Sequence, residues 1–305
     1  MGEALHDDGA ADQSAAGAAR RLARVIEPFH SITYYAPEIL QLADDGYKGW
    51  WHAYFAYRPA PLGAVSAPVV TAVFYNFAPR MVERAVPSVW DVRSPEAVIE
   101  RRRQLVADAL DRIFGGGEHD ADIRAAADLA RSAVEACDVA GRPVFAAYSA
   151  LPWPDEPPLA LWHACTLLRE HRGDSHNIAL AAAELDGVEC HVLMAARGHG
   201  NKPTILAIRG WTDAEWDAAV DRLATRGWVT PSGEHSDEGR ARRSAVERHT
   251  DVLAAEPVRR LGEDGADALI SHLEPLVAHL VGSGEVAGKW PPPHLLKPAE
   301  PAEPA

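Results

Sequence analysis

Apolar positions repeat mostly every three or four residues along this chain, which predicts helices almost throughout. A short helix is expected over residues 18–26. A second follows Pro37 on Ile39, Leu40 and Leu42. The aromatic run WWHAYFAY from Trp50 reads as a buried helix. After a proline-rich loop, Val70, Phe74, Phe77 and Met81 form a core stripe spaced i, i+4, i+7, i+11. Ser94-Pro95-Glu96 is a cap, a proline at N1 and an acid in the first turn, so a long helix should run from there to Phe114 and stop at Gly115-Gly116-Gly117. Further helices are expected over residues 123–137 and in the segment LALWHACTLLREHRG, where Gly173 breaks the chain and Asp174 or Ser175 caps the next one.

The stretch RGWTDAEWDAAVDRLATRGWV is the best defined in the chain. Thr212 and Glu215 make a capping box, Trp211 and Trp216 are placed as a hydrophobic staple, and Gly227 is the stop. A short helix over residues 203–208 and a turn at Gly210 precede it. A strand from Trp228, a wing over residues 230–235 and a long helix from Ser236 follow. The fold class expected is therefore mainly α, a multi-helix N-terminal half plus a winged-helix-like C-terminal half with a small β-wing. The expected organisation is a disordered tail over 1–17, an aromatic-rich helical domain over 18–140, a winged-helix-like domain over 141–286 and a proline-rich tail over 287–305.

Beyond these periodicities, the segments HSITYYAPE, YFAYRPAPLG, VTAVFYNFAP, LREHRGDSHN and RGWTDAEWDAAVDRLATRGWV together resemble a family of SalK-like helix-turn-helix proteins from high-GC bacteria. The order of short helix, turn, capped helix, strand and wing is similar to MarR-type modules. The resemblance covers residues 29–286 and implies a mainly helical fold with a winged-helix-like C-terminal half. It implies no catalytic residues.

Charge alters what that fold is expected to do. The chain has 305 residues, a formal charge of -14 and only four lysines among 30 basic residues, so nothing global draws it to nucleic acid or anionic lipid. A recognition helix reads bases mostly with Arg, Lys, Asn or Gln, yet this one carries Asp213, Asp217 and Asp221 at i, i+4, i+8. Between Arg58 and Arg80 lie 21 uncharged residues, but four prolines and glycines in the first half leave too short a helix to span a bilayer. Three scattered cysteines without a CxxC pair point to reduced thiols and a cytoplasmic protein.

Two groups of residues could bind a ligand. His30, Tyr34, His52, Tyr57, Arg58, Tyr75 and Asn76 combine large rings with polar tips, as an apolar pocket with a few orienting groups does, or as an aromatic core bonded to backbone does. His163, His171 and His176 lie with Arg169, Glu170, Arg172 and Asp174 in a region where histidine beside carboxylate could serve acid/base chemistry. The spacing EHRGDSH matches no zinc pattern, so no metal is expected, and the absence of P-loop, GxGxxG and GxSxG motifs leaves the cofactor unknown. The leading expectation is a cytoplasmic ligand-binding or regulatory protein whose recognition helix is acidic. A MarR-type DNA-binding regulator is the alternative, and an enzyme using the His171/His176 cluster on a small metabolite the third. The partners implied are a small molecule and a second copy of the chain forming a homodimer, with no membrane. The acidic helix disfavours nucleic acid while leaving it open.

Overall fold

The structure is a computed structural model that describes residues 3–284, and the proline-rich segment 287–305 lies outside the described residues. Fifteen α-helices follow in order: α1 (Glu3–Tyr35), α2 (Pro37–Leu40), α3 (Trp50–Tyr57), α4 (Ala67–Phe74), α5 (Pro79–Glu83), α6 (Val89–Val92), α7 (Pro95–Phe114), α8 (Asp120–Val134), α9 (Pro143–Ser149), α10 (Pro157–Ala182), α11 (Gly187–Ala196), α12 (Lys202–Arg209), α13 (Asp213–Thr225), α14 (Asp237–Leu253) and α15 (Glu256–Gly282).

The first helix departs from expectation. It takes in residues expected to be a tail, and it runs through Pro28 to Tyr35. Ala15, Ala18, Ala19, Leu22, Ile26 and Phe29 form an unbroken buried stripe, and that continuous burial holds the helix together across the proline. The stripe packs on α15, α10 and α14.

Buried side chains form two clusters. One gathers α1 to α9, the first half of α10 and α15. It continues across residue 140, since Cys137, Val144 and Phe145 all belong to it. The second is built from Ala179 to Val246, with Trp216, Leu223 and Trp228 near its centre. The helix α10 runs through both, and the helical Gly173 interrupts nothing. A side chain there would crowd Arg169 Nη1 at 3.0 Å. Glycine costs about 1 kcal/mol inside a helix, which tertiary packing offsets. Asp174 does not cap a helix of its own. Its Oδ2 accepts the backbone N–H groups of Val144 at 3.0 Å and Phe145 at 2.9 Å, capping α9 from another part of the chain.

The helix-turn-helix unit is α12, Gly210 in the left-handed conformation, and α13. Both halves of the Thr212/Glu215 capping box form. The expected β-wing does not. Among the described residues there is no strand, only one antiparallel bridge between Val229 and His235, closed by Thr230 N–H donating to Glu234 O at 2.7 Å. Pro231 lacks a donor, Gly233 turns the chain back with φ +85°, and the Ser236 cap starts α14 at once, which leaves no length for a ladder. His235 turns inward, Nε2 lying 3.2 Å from Leu193 O. The winged-helix description of the C-terminal half is thus corrected to an all-helical one with a tight turn.

That turn presses α14 against the backbone of Trp228. A Cβ on Gly239 would stand 1.7 Å from Trp228 O. Gly239→Ala is therefore expected to destabilise the chain by about 1–3 kcal/mol, the usual cost of overpacking, read as a lower denaturant midpoint. A midpoint unchanged from the parent would contradict this packing.

Candidate functional site

Three helices distant in sequence each turn a polar stripe towards one cleft. On α1 the stripe is Arg20, Arg24 and Glu27, on α10 it is Arg169, Arg172, Gly173 and His176, and on α14 it is Arg240, Arg243, Glu247 and Thr250. The cleft holds two adjoining cavities of about 700 and 840 Å³ that share Arg20, Arg197 and Glu247. The first is lined by six arginines and four carboxylates, and the second by five arginines and two. In a chain of charge -14 this is a concentrated reversal of sign.

Its pairing leaves positive charge over. Glu247 is shared by Arg243 at 2.5 Å, Arg197 at 3.7 Å and Arg172 at 4.0 Å. Asp251 takes Arg172 at 2.7 Å and also Arg20. Four guanidinium groups thus share two carboxylates. Burial alone would raise the Glu247 carboxyl, but Arg243, Arg172 and Arg197 more than offset it, so the group is lowered and remains ionised.

Deeper in the wall, Arg58 pairs with Glu170 at 3.1 Å, donates to Tyr54 OH at 2.7 Å and lies 4.4 Å above the Phe74 ring. Burial works against Arg58, yet the nearby carboxylate holds it firmly charged. Glu170 is likewise lowered, with Arg58 and Arg169 overriding its burial.

Of the residues proposed from sequence, Arg58, Asn76 and His176 line the first cavity. Because the Thr250 hydroxyl donates to Val246 O, His176 Nδ1 must donate to Thr250 Oγ1 at 2.9 Å, leaving Nε2 as an acceptor while the ring is neutral. Burial, with Arg243 beside it, holds that ring neutral by moving its pKa down to about 4. His30 sits behind the wall in a similar bond to Thr166 Oγ1 at 3.1 Å, and Tyr34 packs edge-on against its ring.

The others lie elsewhere. His52 lies 3.0 Å from Ser88 Oγ, and Tyr75 donates to Leu185 O at 2.6 Å. Tyr57 is a core ring whose backbone carbonyl receives Arg102 at 3.1 Å. His163 meets Trp153 edge-on at 4.9 Å. His171 faces Phe145 and Glu256, away from His176, so the two histidines do not converge on one centre.

On α13, Asp213 and Asp217 are exposed and bridged by Lys202 Nζ at 3.0 and 2.7 Å, and Asp221 is also exposed. The basic groups of this helix are engaged, Arg222 with Asp186 and Glu189, while Arg80 holds Glu215. No described helix is long and apolar enough to cross a membrane.

A family model described as a helix-turn-helix family matches residues 19–287, most of the chain. The chain belongs to this helix-turn-helix family. Membership suggests a DNA-binding regulatory role, while the cleft lies on α1, α10 and α14 and not on α13. No curated protein and no solved structure matches. Sequence reasoning passed over Arg20, Arg24, Arg197 and Glu247 as site residues, although the i, i+4, i+7 spacing of Arg20, Arg24 and Glu27 opposite Leu22, Ile26 and Phe29 was there to be read.

Proposed function

We propose that this member of the helix-turn-helix family is a cytoplasmic regulatory protein that binds a small organic anion, phosphorylated or polycarboxylate, in the arginine cleft. The unit α12–α13 would serve for packing or for pairing with a second copy. The observation that carries this reading is four guanidinium groups sharing Glu247 and Asp251 at the wall of the cleft, so that a dianion supplies the missing counter-charge. Calorimetric titration with pyrophosphate and with citrate is the test. Saturable binding is expected, weakened about tenfold or more by Arg197→Ala, since a charge-assisted hydrogen bond contributes about 1.5–3 kcal/mol. No saturable binding of either anion, or an Arg197→Ala variant that binds as well as the parent, would overturn the assignment.

A second reading, a DNA-binding regulator, is favoured by family membership and by Arg240 and Arg242 at the start of α14. Against it stand the exposed Asp213 and Asp217, which phosphate repels. Titrating random duplex DNA against salt separates the two: the anion-binding reading expects no retained complex at about 150 mM salt. The SalK-like resemblance adds no chemistry to either. An enzyme built on His171 and His176 is disfavoured, because the two rings face different surroundings.

A further inference from the structure

Cys137 lies just beyond the end of α8, His171 is in the middle of α10, and Glu256 begins α15. These three bring a thiol, an imidazole and a carboxylate together, with one donor atom of each within 4.8 Å of the others. Cys137 is 8% exposed and His171 1%. Both ring nitrogens of His171 are buried with no partner within hydrogen-bond distance. Its nearest carboxylate oxygen, Glu256 Oε2, is 3.7 Å from Nε2, and Phe145 meets the ring edge-on at 5.0 Å. A buried polar group left in this state is costly and calls for a partner.

We propose that Cys137, His171 and Glu256 form a binding site for a zinc-class divalent ion, a function separate from the arginine cleft. The donor set decides the class of metal. Thiolate, imidazole and carboxylate suit zinc, whereas magnesium and calcium take oxygen ligands. Binding forms bonds from the metal to sulfur, nitrogen and oxygen, and the proton of the Cys137 thiol leaves to solvent.

Arg142, Arg259 and Arg260 are the cations nearby. Arg142 is committed to the carbonyls of Asp138, Ala140 and Leu253. Arg260, whose side chain is 38% exposed, bonds Glu256 Oε1 at 2.8 Å, which leaves Oε2 as the oxygen facing His171. Three protein donors leave a fourth position for solvent. The ion would then fasten α8 and α10 to the start of α15.

The test uses the full chain without an affinity tag, loaded with zinc, desalted and measured by elemental analysis, with cobalt(II) as a spectroscopic probe. One zinc per chain is expected, together with a thiolate-to-cobalt charge-transfer band and a higher melting temperature on loading. Cys137→Ser should lose the band and the melting shift, and His171→Ala should lose stoichiometric zinc. If His171→Ala fails to fold, Cys137→Ser, which changes one atom, decides alone. Wild-type chain that takes up no stoichiometric zinc, or a Cys137→Ser chain that keeps the cobalt band, would overturn the proposal.

Discussion

Lowering the pH from 7 to 5 is expected to remove about 4 kcal/mol of folding free energy through His30, His163 and His191, net of Asp174, a large part of the 5–15 kcal/mol typical of a natural protein. The cause is a set of histidines folded in the neutral form. Burial moves the pKa of His30 and of His163 down to about 4, and that of His191 down to about 3, from an ordinary 6.5. Between those values the unfolded chain binds protons that the folded chain refuses. Stability is therefore complete above pH 6.5 and falls as the pH drops through the unfolded value. Each such histidine contributes roughly 1–2 kcal/mol over this interval.

One group works the other way. Burial raises the Asp174 carboxyl to about 6, so the folded chain takes up that proton first and regains roughly 1 kcal/mol as the pH falls. Urea midpoints at pH 7, 6 and 5 give the answer directly. A midpoint that stays constant over this range would contradict the assignment of His30, His163 and His191 as buried neutral rings.

Glu170→Ala should cost about 3–5 kcal/mol, the penalty for stranding a buried charge. Arg58 stays protonated, has a side chain only 17% exposed and lies over the Tyr54 and Phe74 rings, so water from the cleft replaces Glu170 poorly. Glu170→Gln keeps the shape and one acceptor and should cost clearly less. Replacing Arg58 and Glu170 together by Met and Leu should recover much of the loss, because the pair taken as a whole adds little over well-packed apolar groups. Denaturant unfolding of Arg58→Met, Glu170→Leu and the double closes the cycle. An alanine variant within about 1 kcal/mol of the parent would show that the pair is not the buried contact described.

Elements written by neighbouring residues were legible in the chain. Thr212 and Glu215 are three residues apart, so their capping box is readable without any fold, and Ser94-Pro95-Glu96 fixes the start of α7 in the same way. What escaped depends on residues far apart. Pro28 and Gly173 look like breaks until the packing that overrides them is seen, and Asp174 looks like a cap for its own helix until α9 arrives beside it. The wing failed for a different reason. Its turn residues are right for reversing the chain, but Ser236 starts the next helix before a second pair can form. The cleft was hidden because its polar stripes on α1, α10 and α14 each resemble a solvated helix face. Only the fold turns them towards one another.

The ion pairs from α1 to the far end of the chain have a consequence for the order of events during synthesis. Arg20 meets Asp251 and Arg21 meets Asp267, contacts that close loops of 231 and 246 residues. The apolar stripe on α1 waits as long for α14 and α15. Such distant closures are slow, and an emerging chain carries an uncovered sticky helix until α14 and α15 have left the ribosome. The arginine cleft is completed when α14 docks on α1 and α10, so the ability to hold an anion would mark a chain folded through that helix.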